Sequence, residues 1–285
     1  AIDTFINTQL TEYSQITENA RAAAKAYSWS IKAAEFAGTY ETILGNNYRE
    51  IQGVKIDVRG GHEVVEYLDR QISLNNKTML AFANAHTINT ANKDHDFKDI
   101  LSSFLVLNDG IGLDIASKIK YRKRFIENLN GTDFIPKYLG ESKTKLKIFL
   151  LGATEDTVSK TFGIWSHAYK QHSWCGYHNG YFDKNNCQSL LEKIKNSGAN
   201  TLIVAMGNPL QEKWIYQHKD KMEIDLAIGV GALFDFVAGK VARAPNLIQT
   251  LKLEWAYRLL QEPKRLWRRY IIGNAVFLRN CLKEY

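Results

Sequence analysis

Several features of membrane-spanning and secreted proteins are missing from this chain of 285 residues. No run of about eighteen apolar residues occurs, so no transmembrane helix is predicted. The segment Ala1–Thr4 has neither the basic nor the apolar region of a secretory signal, so none is expected. Three cysteines occur without metal-binding or paired spacing, which predicts reduced thiols in a cytoplasmic protein: Cys175, Cys187 and Cys281.

Motifs of several enzyme classes are also absent. The dinucleotide fingerprint G-x-G-x-x-G is not completed, because Ile115 and Phe234 stand where its third glycine belongs. No Walker loop, G-x-S-x-G or H-E-x-x-H motif occurs. The one literal D-x-D sequence, Asp94-His95-Asp96, lies in a charged run away from any predicted strand end, and we interpret it as a solvated turn. We therefore expect no metal site and no cofactor.

The basic charge of the chain is concentrated at its C-terminal end. The net charge is +7, and residues 243–285 contain nine basic and three acidic side chains, so nearly all of the excess lies there. Such a patch indicates an anionic partner, which is nucleic acid, anionic lipid or a phosphorylated substrate. The segment also has an apolar face, which favours a membrane surface over nucleic acid and is formed by Leu259, Leu260, Leu266, Ile271 and Ile272.

Hydrophobic periodicity divides the chain into three predicted parts. Residues 1–48 carry a heptad stripe from Ile6 to Ala34, which predicts a helical extension that packs on the body or on a second copy, so a homo-oligomer stays open. Residues 49–242 alternate apolar runs with amphipathic segments, which predicts an α/β body with a mainly parallel, Rossmann-like sheet and helices on both faces. Residues 243–285 are predicted to form a basic, amphipathic helical appendage that associates with the membrane.

Individual strands and helices follow from the same periodicity. The predicted strands are Val54–Val58, Met79–Ala83, Phe104–Leu107, Leu146–Leu151, Trp174–Tyr177, Leu202–Met206 and Leu226–Gly229. The predicted helices are Glu63–Ile72, Ile111–Ile119, Thr157–Tyr169, Leu190–Lys195, Leu210–His218, Leu247–Leu260 and Lys264–Leu282. In a sheet of this kind the ligand binds at the carboxyl ends of the strands, so the residues there are candidate ligands.

Polar residues and glycines follow several of the predicted strands. Glycine lets the backbone come close to a ligand, and the N–H groups at a helix N-terminus can bind phosphate. A purely structural alternative exists for two of the polar residues, because Asp109 and Asn208 could each cap the helix that begins after them. For Asn208, capping is the favoured interpretation, with Pro209 at the first helical position and Gln211 completing a capping box.

A series of spaced motifs runs through the chain in one order. They are Asn84-Ala85-His86-Thr87, Asn108-Asp109-Gly110-Ile111-Gly112, Gly131-Thr132-Asp133, Gly207-Asn208-Pro209 with Gln211-Glu212, Gly229-Val230-Gly231-Ala232 with Phe234-Asp235, Arg243-Ala244-Pro245 and Glu262-Pro263-Lys264-Arg265. In this order they resemble the WecG/TagA/CpsF glycosyltransferase family from about Ile51 to Phe277. Residues 1–48 match nothing in that family.

The resemblance implies an activity and a place in the cell. The family takes a sugar from a UDP donor, inverts the anomeric centre and uses no catalytic metal. Its acceptor is a saccharide on a polyprenyl diphosphate such as undecaprenyl diphosphate, in the synthesis of bacterial cell-surface polysaccharides. A cytoplasmic protein held peripherally on the inner face of the membrane is therefore expected. N-acetylmannosamine, its uronic acid and glucose all occur as transferred sugars in the family.

The resemblance also implies roles for individual residues. Asp109 is expected to be the general base, while Asn84 and Gln211 are expected to belong to the pocket. An inverting transfer is one displacement, which needs a single base and stabilisation of the departing charge. Phe82 stands where the family often has threonine, so no role of that threonine is carried over. Further substrate-binding residues are expected at Thr87, Asn108, Gly110, Thr132, Asp133, Gly152, Gly207, Gly231 and Asp235. The residues expected to contact the lipid diphosphate or the membrane are Arg258, Arg265, Arg268 and Arg269.

Three alternatives compete with a glycosyltransferase. A nucleic-acid-binding protein would use the basic segment and its interleaved aromatic residues, but the apolar face of that segment speaks against it, and we expect no nucleic-acid partner. A nicotinamide-dependent oxidoreductase would use the parallel sheet, but its fingerprint is missing. An inactive scaffold is disfavoured because Asp109 is present.

Overall fold

The computed structural model describes residues 47–245 and 254–284, together with the single residues 19 and 248. By its contacts the chain divides into two units, residues 1–47 and residues 48–285. The predicted heptad stripe lies outside the described residues. So do residues 247 and 249–253 of the predicted helix Leu247–Leu260. The division into an extension, a body and an appendage therefore stays a prediction.

A parallel sheet organises the α/β body. Its strands lie in the order β4 (Leu105–Asn108), β3 (Thr78–Ala83), β8 (Leu226–Gly229), β7 (Thr201–Ala205), β5 (Lys147–Gly152) and β6 (Ser173–His178). Every neighbouring pair in this order is parallel. The strands β1 (Tyr48–Ile51) and β2 (Val54–Asp57) form a separate antiparallel hairpin.

Helices connect the strands, as the alternating pattern predicts. In chain order they are α1 (Gly61–Ser73), α2 (Ala85–Ala91), α3 (His95–Ser102), α4 (Ile111–Tyr121), α5 (Gly131–Glu141), α6 (Glu155–Ala168), α7 (Gln188–Asn196), α8 (Leu210–His218) and α9 (Leu233–Val237). After residue 253 come α10 (Glu254–Gln261), α11 (Pro263–Trp267), a π-helical turn (Arg268–Ile272) and α12 (Gly273–Glu284).

The core lies on both faces of the sheet. In β7, Leu202 and Val204 belong to one hydrophobic cluster, whereas Ile203 and Ala205 belong to the other. This is the alternation of a strand whose side chains point to opposite faces, and all four side chains are buried. A continuous apolar run therefore forms a strand covered by helices on both sides, which confirms the predicted α/β class and the mainly parallel, Rossmann-like sheet.

The C-terminal helices pack on the body through α12. Phe277 and Cys281 are completely buried, and Phe277 lies against Gly112 at the start of α4. Asn89 of α2 donates a hydrogen bond to the carbonyl oxygen of Gly273 at 2.7 Å, and Gln52 donates one to that of Phe277 at 3.1 Å. These contacts fix the start of α12 beside the carboxyl end of the sheet. Among the described residues, no helix is both long and apolar enough to cross a bilayer.

Candidate active site

Two adjoining cavities open at the carboxyl ends of β4, β3, β8 and β7. The larger, about 330 Å³, is bordered by the glycine-containing loops after β7 and β8 and is called the loop cavity. The smaller, about 200 Å³, is bordered by residues of α10 and the π-helical turn and is called the helix cavity. Both are lined by the polar side chains of Asn84, His86, Asp109, Thr132, Arg258 and Arg269. This shared set lies where the two cavities meet.

Asn84 and Asp109 are held side by side by the parallel pairing of β3 and β4. The backbone N–H of Asp109 donates to the carbonyl oxygen of Ala83 at 2.7 Å, which extends the sheet by one residue. Asn84 caps α2, because its Oδ1 accepts from the N–H groups of His86 at 3.0 Å and Thr87 at 3.2 Å. This cap turns the Nδ2 group of Asn84 toward Asp109, to whose Oδ2 it donates at 3.2 Å.

The side chain of Asp109 does not cap α4. The residue before that helix is Gly110, whose φ of +92° suits glycine, and no side chain caps it there. Gly110 donates its N–H to Oδ1 of Asn128 at 2.6 Å, which fixes the turn that carries Asp109. The Asp109 carboxylate is therefore left to face the cavities.

Burial is the largest influence on the pKa of Asp109. It raises that pKa above the usual value of an aspartate, while the Asn84 hydrogen bond and the charges of Arg269 and Arg258 act in the opposite direction. Asp133 adds a smaller upward contribution. The net shift is upward, so the carboxylate is a stronger base than an exposed aspartate. Its position at the cavities makes it accessible to a substrate hydroxyl.

Two arginines from the C-terminal helices reach the shared wall. Arg258 of α10 stacks over Phe236 with its guanidinium 5.1 Å from the ring centroid. Arg269 of the π-helical turn lies 5.5 Å over the ring of Tyr270. Arg268, in contrast, is exposed beside Trp267 and lines neither cavity. The side chain of Arg265 lies outside the described residues.

Gln211 connects the loops that follow β7 and β8. Its side chain is buried, and its Oε1 accepts the backbone N–H groups of Gly207 at 3.1 Å and Gly231 at 3.0 Å. Gly207 and Gly231 have φ values of +82° and +59°, which are readily adopted by glycine. The expected pocket residues Gly207, Gln211 and Gly231 therefore meet at one wall of the loop cavity.

Asn208 lies in the same wall but does not cap a helix. The residue before α8 is Pro209, and no side chain caps that position, so the favoured capping interpretation of Asn208 was wrong. Both polar atoms of the Asn208 side chain are inaccessible to solvent, and this side chain interacts with the buried carboxyl group of Glu212. The physical reason is that Pro209 comes between Asn208 and the helix, which moves the cap position one residue along the chain.

The start of α5 supplies Thr132 and Asp133 to the helix cavity. Asn130 caps this helix by accepting from the N–H of Asp133 at 3.0 Å. Arg243 donates to Oδ1 of Asp133 at 2.7 Å and also lies 3.7 Å from Glu254 of α10. Burial would raise the pKa of Asp133, but the hydrogen bonds from Arg243 and Asn130 outweigh it, so the pKa is lowered. Arg243 thus joins α5 to the C-terminal helices at the cavity.

Several expected substrate-binding residues lie outside the lining of both cavities. The buried side chain of Asn108 donates to the carbonyl oxygen of Glu127 at 2.8 Å, so it holds the loop before Asn128. Gly152, with φ of +134°, packs against the backbone of Ala205 so closely that no Cβ would fit. Asp235 lies in α9, where its backbone carbonyl oxygen accepts from the N–H of Lys240. Thr87 and Gly110, in contrast, each line one cavity.

His86 lines both cavities, although no role for it was predicted from the sequence. It lies in the first turn of α2, and burial followed by the charges of Arg269 and Lys93 lowers its pKa to about 4. The imidazole is therefore neutral near pH 7 and can both donate and accept a hydrogen bond. Its place two residues after Asn84, at a strand end, was the signal available in the sequence. Further lining residues without an assigned role include Phe82, Asn128, Trp255, Tyr270 and Asn274.

The D-x-D sequence lies at the start of α3. Asp94 caps this helix by accepting from the N–H of Phe97 and also binds Lys213 at 2.6 Å. The hydrogen bond from Lys213 is the main reason that the pKa of Asp94 is lowered. Asp94 thus has two structural partners, and it lines neither cavity. Within residues 47–245 and 254–284, no three side chains of His, Cys, Asp or Glu form a cluster that could hold a metal ion.

Comparison with known proteins agrees with the motifs. Residues 49–285 match the Glycosyl transferase WecG/TagA/CpsF family. A similar protein is the N-acetylglucosaminyldiphosphoundecaprenol N-acetyl-beta-D-mannosaminyltransferase of Bacillus subtilis (strain 168), which is 32% identical over 220 residues, or 76% of this chain and 82% of that relative. Both findings confirm the resemblance inferred from the sequence. The chain belongs to the WecG/TagA/CpsF family of glycosyltransferases.

Proposed function

We propose that the protein transfers a sugar from a UDP donor to a saccharide carried on a polyprenyl diphosphate, in the synthesis of a bacterial cell-surface polymer. The observation that carries this proposal is the Asn84–Asp109 pair at the junction of two cavities, because a transferase must hold a donor and an acceptor at the same time. The similar Bacillus subtilis protein, by its name, adds N-acetylmannosamine to N-acetylglucosaminyl diphosphoundecaprenol. That donor and acceptor are the first pair to test. Family membership makes a nucleic-acid-binding protein or an oxidoreductase the weaker alternative.

The donor would occupy the loop cavity. The loops after β7 and β8 leave little side-chain bulk there, since Gly207, Gly229 and Gly231 line it, and Gln211 keeps the loops together. A flat base or a sugar ring can therefore approach the backbone closely. The diphosphate would extend to the shared wall, where Arg258 and Arg269 can donate charge-assisted hydrogen bonds.

The acceptor would occupy the helix cavity. This cavity lies between the N-terminal turn of α4, at Gly110 and Ile111, and the C-terminal helices, at Trp255 and Tyr270. The N–H groups of the helix turn after Gly110, whose own N–H is bound to Asn128, suit a phosphate, and the aromatic rings suit the apolar face of a sugar or a prenyl chain. An acceptor that enters here brings its hydroxyl to Asp109 from the side opposite the donor.

The reaction would be a single in-line displacement. The Asp109 carboxylate takes the proton of the acceptor hydroxyl while the oxygen forms a bond to the anomeric carbon of the donor sugar. The bond from that carbon to the phosphate oxygen breaks, its electron pair leaves with UDP, and the configuration is inverted. Asn84 keeps the carboxylate aligned, and the arginines stabilise the charge that develops on UDP.

We also propose that no metal ion takes part. Arg258 and Arg269 can supply the positive charge that other transferases obtain from a metal bound to the diphosphate. Transfer should persist in excess chelator, because neither arginine depends on a metal. Loss of activity with chelator, and recovery with manganese or magnesium, would contradict this; Asp94→Asn would then test whether Asp94 is a ligand.

The C-terminal helices would place the protein on the inner face of the membrane. Leu260 is 81% exposed and Leu282 is 68% exposed, and a set of exposed apolar side chains on one segment suits an apolar partner better than single ones do. Further exposed apolar side chains on this segment are Trp267, Ile271, Ile272 and Val276. Basic residues among them would bind anionic headgroups, and each contributes about 1 kcal/mol near such a surface. The lipid-linked acceptor would then enter the helix cavity directly from the bilayer.

One incubation tests the proposed function. The protein is mixed with a panel of UDP-sugars and a polyprenyl-diphosphate-linked N-acetylglucosamine, and the products are read by mass spectrometry. A product heavier by one sugar residue, formed with one UDP-sugar and lost in the Asp109→Asn variant, would support the proposal. No product with any donor of the panel would reject UDP-sugar transfer to this acceptor.

A further inference from the structure

The wall between the β7 and β8 loops depends on the orientation of one amide. Oε1 of Gln211 accepts N–H groups from both Gly207 and Gly231, so it joins two loops that are 24 residues apart in sequence. A Cβ at Gly229 would lie 2.8 Å from Nε2 of Gln211, so the amide is also packed tightly against β8. If the amide were turned by 180°, its N–H groups would face two other donors and both loop hydrogen bonds would be lost.

Glu212 determines that orientation. Nε2 of Gln211 donates to Oε1 of Glu212 at 2.8 Å, a hydrogen bond that the ionised carboxylate and the carbonyl oxygen of the neutral carboxyl group can both accept. This bond holds the nitrogen end of the amide at Glu212 and the oxygen end at the glycines. Glu212 is fully buried and lies outside the lining of both cavities, so substrate does not reach it.

Packing alone does not explain a carboxyl group at this position. Oε2 of Glu212 is inaccessible to solvent, and burial raises the pKa of the group to about 7, although hydrogen bonding by the side chains of Gln211 and Asn208 acts in the opposite direction. An apolar side chain of similar volume would avoid this cost of burying a polar group. The carboxyl group interacts with the side chains of Gln211 and Asn208, which an apolar residue could not do, and the bond to Gln211 is the one that reaches both loops.

We propose that Glu212 is a positioning residue of the donor site, which fixes the Gln211 amide and through it the spacing of the Gly207 and Gly231 loops. The assignment of this wall to the donor rests on the proposed function. Glu212 does not itself contact the donor. Its loss should therefore weaken donor binding and leave the chemistry at Asp109 nearly unchanged.

The test compares Glu212→Leu, Glu212→Gln and a matched surface control, Glu192→Leu. Glu192 also accepts from a glutamine, Gln188, at 3.1 Å, but the pair is exposed on α7. For Glu212→Leu, we expect the KM for the UDP-sugar and the Kd for UDP to rise about tenfold, with kcat within about threefold of the wild type. Glu212→Gln should stay near wild type, because its carbonyl oxygen can accept the same N–H, and so should Glu192→Leu.

A second measurement does not depend on the reaction. Hydrogen exchange of the Gln211 side-chain amide and of the Gly207 and Gly231 N–H groups, followed by NMR, should be slow in the wild type and at least about tenfold faster in Glu212→Leu. If the leucine variant does not fold, Glu212→Met serves as the second disruptive variant.

Three results would overturn the proposal: unchanged exchange in the disruptive variant, an unchanged KM and Kd, or a loss in Glu212→Gln as large as in Glu212→Leu. A wild-type protein without UDP-sugar activity would reject the proposed function instead. In that case the exchange measurement would still decide whether Glu212 fixes Gln211.

Discussion

The side-chain nitrogen of Asn84 lies 3.2 Å from Oδ2 of Asp109, across the parallel strands β3 and β4. The same asparagine caps α2 with its oxygen, so one amide anchors a helix and aligns the proposed base. This double use makes Asn84 informative, because its two functions can be separated by substitution.

Asp109→Asn should abolish most of the transfer activity without unfolding the protein. The amide keeps the shape of the carboxyl group but cannot take a proton, so kcat should fall by roughly two or more powers of ten. The Kd for UDP, measured by calorimetry, should stay within a few-fold of the wild type. Near wild-type turnover in this variant would show that Asp109 is not the base.

Asn84→Ala should move the pH dependence of the reaction. The Asn84 hydrogen bond lowers the pKa of Asp109, so its removal should raise that pKa and shift the acid limb of kcat/KM to higher pH. Loss of the cap should also reduce the free energy of unfolding by about 1 kcal/mol.

Asn84→Ser is the matched control for this experiment. Serine can cap α2, so most of the lost stability should return, whereas the shifted pH limb should remain because the amide donor is still missing. If the acid limb of kcat/KM returns to its wild-type position together with the free energy of unfolding, the hydrogen bond from Asn84 does not influence the pKa of Asp109.

Arg269→Ala and Arg268→Ala should have different effects, although the residues are neighbours. Arg269 lines both cavities, and a hydrogen bond from a charged group contributes about 1.5–3 kcal/mol, so kcat/KM should fall by about ten- to a hundredfold. Arg268 is exposed, and its loss should weaken binding to anionic vesicles by about 1 kcal/mol with little effect on a water-soluble acceptor analogue. Kinetics and vesicle sedimentation measure the two effects. If the two variants lost kcat/KM to the same extent and vesicle binding to the same extent, the different roles assigned to Arg269 and Arg268 would be contradicted.

Glu212 should make the protein less stable as pH rises. Its pKa is 4.5 in an exposed glutamate and about 7 in the fold, so the unfolded chain releases its proton first. The stabilising contribution is complete below about pH 4.5, decreases as pH rises toward 7 and is lost above it, by about 3 kcal/mol in total. Glu212→Gln lacks this dependence.

Urea unfolding at pH 5 and pH 8 measures this effect. The advantage of Glu212→Gln over the wild type should grow by about 2–3 kcal/mol between the two pH values, while titration of other groups, such as His86, cancels in the difference. A constant difference between the two proteins would mean that Glu212 has an ordinary pKa in the fold.

Most strands of the sheet could be predicted because they are buried on both faces, whereas the edge strand β6 is only partly buried along its length. Apolar runs such as Leu202–Met206 predicted the strands of the sheet. The segments that follow these runs contain the candidate site residues Asn84, Asp109 and Gln211. The hairpin strand Tyr48–Ile51 was missed because its polar residues give no apolar run. Helix α2 was missed because it is short and largely polar.

The contacts between these residues could not be predicted from the sequence. Gln211 meets Gly231 only because β7 lies beside β8, and strand order is not written in local periodicity. The pairing of Arg243 with Asp133 likewise joins residues 110 positions apart. Asn208 was assigned to a cap because its sequence context fits one, but the proline after it takes the cap position.

The π-helical turn between α11 and α12 sets the angle between two parts of the C-terminal segment. Its wider hydrogen bond, from the N–H of Gly273 to the carbonyl oxygen of Arg268, accommodates one more residue than an α-helical turn. In an α-helix each residue advances the direction of its side chain by about 100°. Removing a single residue at Ile271 would therefore restore a regular helix and rotate Arg269 by about that angle relative to Phe277. Phe277 would still hold α12 on the body, but Arg269 would point away from the cavities. Deletion of one residue would therefore leave the C-terminal helix packed on the body while removing the proposed contribution of Arg269 to transfer.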